Sequence, residues 1–248
     1  MKKILSSMLL ALSLIVGQAQ AAGDSIVIAT NPTWPPMQFI DMDKKIVGFE
    51  VDLLDAIAAE AGLKSSWKNA AWEGIFGEIE SKNADVIASC VTITDARKKK
   101  YLFSEPVYEM YQALVVPVES TIKEPKDLNG KRIGIQIGTT AIEALKKIDA
   151  DYQIVTYDEV GLALEDLVNG RIDAVMCDDP VAKYYSSRKE GYQNKMKIAF
   201  SSDVPEVFGF LVLKENAALM DKLSAGYKAI KANGKEKEIL EKWFGANN

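Results

Sequence analysis

The sequence predicts an α/β protein of two similarly built lobes, each a largely parallel sheet covered by helices. Three observations carry that prediction. Short β-branched runs alternate with helical stretches almost to the end of the chain, and the alternation restarts near residue 132. In addition, residues 80–89 (ESKNADVIAS) and 167–177 (LVNGRIDAVMC) are alike. Each ends a helix, turns at a polar residue and enters a strand through Asp-Val or Asp-Ala-Val.

In chain order, residues 25–30 (SIVIAT) form an apolar, β-branched strand that stops at Asn31-Pro32. Residues 51–61 form a helix, because Val51, Leu54, Ile57, Ala58 and Ala61 share one face and Gly62 stands at its stop. Glu50, Asp52 and Asp55 crowd its N-terminal end, where the helix dipole favours negative charge. A second helix spans 72–82, and 85–90 is a buried strand. Residues 111–117 form a strand leaving the first lobe. In the second lobe, strands at 132–135, 154–156 and 173–177 alternate with helices at 138–147 and 159–169. One more apolar strand, 209–213, precedes helices 217–233 and 235–244, which break at Gly234. If the chain crosses at 111–117 and again near 207–210, it finishes in its first lobe, and two crossings make a hinge. No Gly/Ser-rich linker interrupts the pattern.

Composition removes whole classes of chemistry. The 248 residues include no histidine and only two cysteines. That excludes Ser-His-Asp and Cys-His catalysis, histidine-ligated zinc or haem, and four-thiolate metal or iron–sulfur sites. No cofactor and no metal are expected. Thirty basic against 35 acidic side chains give a net charge of −5, unlike the basic surface a nucleic-acid binder needs. At the start, Lys2 and Lys3 precede an apolar run over 4–16 and the small-residue triplet Ala19-Gln20-Ala21. This is the layout of a secretory signal, residues 1–21, cut after Ala21, and the run is too short to span a bilayer. The mature protein is therefore expected outside the cytoplasm, in the periplasm, with no membrane span. Cys90 and Cys177 each end a strand in different lobes, and a bridge would pin the lobes together, so free buried thiols are expected.

Several motifs occur in order. Gly48-Phe49-Glu50-Val51-Asp52-Leu53 is a glycine turn into an acidic helix start. Ser89-Cys90-Val91-Thr92-Ile93-Thr94-Asp95-Ala96-Arg97 follows, then Phe103-Ser104-Glu105-Pro106-Val107-Tyr108. Lys126-Asp127-Leu128-Asn129-Gly130-Lys131, Gly138-Thr139-Thr140 and Lys242-Trp243-Phe244-Gly245 complete the set. Behind a signal peptide, this set resembles the polar amino-acid binding proteins of ABC importers, the group containing glutamine-, histidine- and lysine/arginine/ornithine-binding proteins. The resemblance spans essentially the whole mature chain. It implies a type II periplasmic binding protein fold, with two hinge strands and a ligand cleft between the lobes. Lobe 1 would comprise 22–110 and 208–248, and lobe 2 would comprise 111–207. An amino-acid ligand and a membrane permease are the implied partners, and a monomer is expected.

The residues themselves point to amino-acid chemistry. A free amino acid offers a carboxylate, an ammonium and a side chain. Arg97, in a short helical turn capped by Thr94, has the planar fork that suits a carboxylate. On charge pattern alone it reads equally as part of a solvated basic face with Lys98, Lys99 and Lys100. Gly138-Thr139-Thr140 opens a helix after a strand, where free N–H groups suit a carboxylate, and Thr139 is as readily a plain N-cap. Asp178, before Asp179-Pro180, reads alone as another N-cap. The resemblance makes Arg97 a ligand residue and Asp178 the acceptor of the ligand ammonium. Thr92 and the backbone around Cys90 then meet the ammonium or carboxylate. Trp34 and Trp72, on loops at strand ends, read as core or as ligand-facing rings, and the resemblance favours the second. Trp67 and Trp243 read as packing. Asn31 stands where several family members with basic or amide ligands carry an aspartate, and Gln136 stands where a ligand lysine can meet a side-chain carbonyl. Both are neutral, so an uncharged polar amino acid is favoured, an acidic one rejected, and a cationic one admitted only if Glu73 faces inward. The competing reading is an enzyme on the same scaffold, since relatives of the fold include dehydratases and Glu73 or Asp178 could act as a general acid. No paired acid and base stand at recognisable spacing. A sensory ectodomain would need a spanning helix and a signalling domain after Asn248, and neither is expected.

Overall fold

The computed structural model describes residues 24–246, so the expected signal segment and its cleavage point lie outside the described residues. Two five-stranded sheets organise the chain. In the first, the spatial order is Lys64–Asn69, Ser25–Thr30, Val86–Ile87, Leu211–Leu213 and Tyr101–Phe103. In the second it is Gln153–Tyr157, Arg132–Gln136, Ala174–Asp178, Gln112–Pro117 and Met196–Ser201. The two orders are equivalent. Each has three parallel strands, then an antiparallel strand belonging to a crossing segment, then a fifth strand at the edge.

The likeness of residues 80–89 and 167–177 has a structural counterpart. The Asp85 carboxylate accepts the Val27 N–H at 2.8 Å while the Asp85 N–H donates to the Val27 carbonyl. In the second sheet Asp173 makes the same pair of bonds with Arg132, at 2.8 and 2.9 Å. Each aspartate fixes the register of its sheet's third strand, Val86–Ile87 or Ala174–Asp178, against the neighbouring Ser25–Thr30 or Arg132–Gln136.

Between the sheets, Tyr108–Met110 pairs antiparallel with Glu206–Phe208, which makes the two crossings a paired ribbon rather than loose connections. The expected crossing residues 111–117 lie just beyond it, inside the second sheet. Helix Phe49–Glu60 packs on Ala217–Ala232 and Lys235–Phe244, so the chain's last helices cover the first sheet. Their contact is close: a Cβ at Gly226 would stand 2.3 Å from the Ile57 carbonyl oxygen.

Three expected elements change shape. Residues 72–82 divide into a 3-10 turn, Trp72–Gly74, and a helix, Ile75–Glu80, over a stretch weakened by Gly74 and Gly77. The helix expected from 138 begins at Ala141, because Gly138 at φ +73 has a backbone that cannot continue a right-handed helix. The strand expected over 85–90 keeps only Val86–Ile87, and Cys90 at φ +48 turns the chain away from the sheet. Cys90 and Cys177 are free and buried. Among the described residues no helix is long and apolar enough to cross a membrane.

Candidate functional site

The C-terminal ends of four strands point at one another across the gap between the sheets, which is where open α/β sheets place binding loops. The first sheet contributes Asn31 after Ser25–Thr30 and the stretch Ser89–Thr92 after Val86–Ile87. The second contributes Gln136 and Asp178, each the last residue of its strand. These ends surround a small cavity of about 20 Å3. Asn31, Trp34, Trp72, Cys90, Thr92 and Arg97 line it from the first sheet's side. Gln136, Thr139, Thr140 and Asp178 line it from the second. All ten residues singled out in the sequence therefore meet at one place.

Arg97 arrives through local structure. Thr94 Oγ1 accepts the Arg97 N–H at 3.2 Å, capping the turn Asp95–Lys98. Its guanidinium donates to the Thr92 carbonyl at 3.0 Å and to the Gly138 carbonyl at 3.4 Å. The guanidinium carbon lies 5.8 Å from the Trp72 ring centre and 5.6 Å from that of Phe76. Burial lowers its pKa from the ordinary value against the opposing pull of Glu206 and Asp178, and a guanidinium still stays charged. Arg97 thus departs from a solvated basic face. Two of its five N–H groups are engaged, and the rest are available to a carboxylate.

Asp178 makes no capping bond to its helix. Its carboxylate accepts from Trp34 Nε1 at 3.0 Å and from Gln112 Nε2 at 2.6 Å. Burial, and then the nearby Glu206 charge, raise its pKa to about 7, while those two hydrogen bonds pull the other way. Thr139 donates its hydroxyl back to the Gln136 carbonyl at 2.8 Å, and Thr140 takes the N-cap position without capping through its side chain. Gln136 Nε2 donates to the Asp158 carbonyl at 2.9 Å, and its buried Oε1 has no partner. Asn31 is held by the Ala70 carbonyl and by the Thr33 hydroxyl.

Three contacts join the walls: Trp34 to Asp178, Arg97 to the Gly138 carbonyl, and Thr92 Oγ1 to Thr140 Oγ1 at 3.4 Å. A Cβ at Gly138 would sit 3.3 Å from Trp72 Nε1, so the turn at Gly138 is shut against the opposite wall. The cleft is closed.

Sequence reasoning missed Gln38 and Ser89, which complete the lining. Gln38 accepts the Cys90 thiol at 3.3 Å and donates to Ser89 Oγ at 3.5 Å. Ser89 lies within the motif Ser89–Arg97, whereas Gln38 opens a three-residue strand, Gln38–Ile40, too short to give a periodic signal. Glu206 was also missed. It accepts the Thr140 hydroxyl at 2.6 Å and acts electrostatically on both Arg97 and Asp178. Glu73 is exposed and outside the lining. Trp67 and Trp243 lie elsewhere, donating to Asp55 and Asp52.

Residues 26–246 match the sequence model of the bacterial extracellular solute-binding proteins, family 3. The chain belongs to that family. This solute-binding protein is 33% identical over 225 residues to the L-cystine-binding protein TcyJ of Escherichia coli strain K12, covering 90% of this chain and 84% of the relative. It is similar to a solved ancestral arginine-binding protein bound to glutamine, with a TM-score of 0.82, 36% identity and 89% and 98% of the two chains covered. It is likewise similar to the arginine-, lysine-, histidine-binding protein ArtJ from Geobacillus stearothermophilus, with a TM-score of 0.84, 35% identity and 91% and 97% covered. The solute-binding protein has the two-lobed type II fold of these neighbours.

Proposed function

We propose that this solute-binding protein captures a polar, uncharged amino acid in its cleft, closes over it and delivers it to the membrane permease of an ABC importer. The observation that carries the reading is the pair Arg97 and Asp178, opposite charges on the two walls of one closed cavity. Arg97 receives the α-carboxylate, with Thr92, Thr139 and Thr140 beside it, and Asp178 receives the α-ammonium. Trp34 and Trp72 flank the side chain. The remaining lining, Asn31, Gln38, Ser89, Cys90 and Gln136, is neutral at its side chains, and the unpartnered Gln136 Oε1 offers an acceptor to a side-chain donor. An acidic side chain would bury an unpaired carboxylate there. A cationic one lacks the anchor that an inward Glu73 would have given.

The relatives' names support transport rather than catalysis, since all three are binding proteins. The division into 22–110 with 208–248 and 111–207 is supported by the way the two sheets share the strands. A periplasmic, monomeric protein cut after Ala21 completes the reading, and N-terminal sequencing and size-exclusion chromatography of periplasmic protein test those points. Calorimetric titration with the twenty amino acids, followed by recovery of the ligand, tests the function. Tight binding of glutamine or another neutral polar amino acid, recovered unchanged, is expected. Binding of aspartate or glutamate alone would overturn the pocket reading, and chemical turnover would overturn the transport reading.

A further inference from the structure

Glu50 is 1% exposed, yet it belongs to no ion pair among the described residues and takes no part in the proposed ligand contacts. With Asp52 and Asp55 it is one of three acids at a helix start. Its surroundings give it a different task. Gly48 enters the helix at φ +147, where a Cβ would stand 2.1 Å from the Met37 carbonyl oxygen. That close approach lets the Glu50 N–H donate to the same carbonyl at 3.0 Å, fixing the turn before Gln38. On its other side, Glu50 Oε2 accepts the Cys90 N–H at 2.7 Å, and Oε1 is buried without a partner.

Cys90 is the reason such a tie is needed. It is one of four described non-glycine residues with positive φ, a conformation a side chain with a Cβ adopts at a cost. It is 6% exposed and carries the chain from Ser89 to Thr92, all three lining the cavity. A buried N–H in a disfavoured backbone conformation needs an obligatory acceptor, and Glu50 supplies it.

We propose that Glu50 is a positioning residue for the ligand site, holding Cys90 in its left-handed conformation and clamping the turn before Gln38 and the Ser89–Thr92 stretch into one wall. It acts through these residues and touches no ligand. The inference rests on the reading of the cleft as an amino-acid site. Burial raises the Glu50 carboxyl to about 7, in keeping with a carboxylate kept inside for its acceptor geometry rather than for its charge.

Two readouts on the full chain test it: calorimetric affinity for the best-binding amino acid, and the rate at which N-ethylmaleimide alkylates Cys90 in ligand-free protein, located by peptide mass spectrometry. Glu50→Ala should weaken binding about tenfold or more and speed alkylation, since a buried donor loses its acceptor. Glu50→Gln, which retains an acceptor oxygen, should stay near wild type in both. In a Cys90→Gly background, where the backbone takes positive φ freely, Glu50→Ala should cost less affinity than in wild type. Wild-type affinity in a folded Glu50→Ala variant, or an equal cost in both backgrounds, overturns the proposal. If the alanine variant does not fold, Glu50→Asp takes its place. Its shorter side chain withdraws the acceptor, and unchanged affinity and alkylation would again refute the clamp. Should wild type bind no amino acid, the functional reading fails, while the alkylation rates still decide the role of Glu50.

Discussion

Burial that lifts the Asp178 carboxyl to about 7 gives the site two opposite responses to pH. Between its ordinary value near 3.8 and about 7, the folded protein keeps a proton that the unfolded chain has released. The stability this group contributes is therefore complete below the ordinary value and is lost as pH rises through about 7. Asp178→Asn should accordingly lose less stability than wild type between about pH 4 and about pH 7, as thermal melts of ligand-free protein will show. Ligand binding runs the other way, because the ammonium needs the ionised carboxylate. Affinity should fall as pH drops below about 7, and binding near neutrality should release protons, seen as a dependence of titration heat on the buffer's ionisation enthalpy. Opposite Asp178, Arg97→Ala should cost about 2–5 kcal/mol of binding with the fold retained, measured by calorimetry and circular dichroism. Arg97, Thr92 and the Gly138-Thr139-Thr140 turn reach the cavity wall as residues of motifs that carry the resemblance, whereas Asp178, an N-cap by its local sequence, was singled out through the resemblance alone. Gln38 was not, since its role comes from the fold of the loop after Trp34 and from the thiol of Cys90, 52 residues away. Glu206 was invisible for a similar reason: only the paired crossing ribbon brings it to Thr140.

At the scale of elements, apolar strands announced themselves and polar ones did not. Ser25–Thr30 matches its expected bounds, Arg132–Gln136 differs by one residue at one end, and Gln153–Tyr157 and Ala174–Asp178 differ by one residue at each end. Lys64–Asn69, reading KSSWKN, gives no apolar alternation, because it forms an edge whose residues are exposed or half-buried. Met196–Ser201, the edge of the second sheet, was missed as well although four of its six residues are apolar. The start of helix Phe49–Glu60 shows how much one glycine decides. Gly48→Ala must move a Cβ away from the Met37 carbonyl and accept a disfavoured φ, at a cost of about 1–3 kcal/mol for the backbone alone. A chain of this size should then melt roughly 2–10 °C lower in a calorimetric scan. Affinity should fall as well, because the same turn seats Gln38.

For the molecule as a whole, closure puts Trp34 and Trp72 into the cavity wall while Trp67 and Trp243 stay bonded to Asp55 and Asp52 on the first lobe. Ligand addition should therefore change tryptophan emission. Replacing Trp34 and Trp72 with Phe should abolish the change and leave the background of the other two; a surviving signal would remove these rings from the walls. The pairing of Tyr108–Met110 with Glu206–Phe208 has a consequence for how the chain is made. Strand Leu211–Leu213 sits inside the first sheet, between Val86–Ile87 and Tyr101–Phe103, whereas every strand of the second sheet lies between residues 112 and 201. During synthesis the second sheet has all its strands while the first still has a gap in its middle. The half that begins the chain is thus the half that must wait for its end, and its long-range pairing makes it the slower to form.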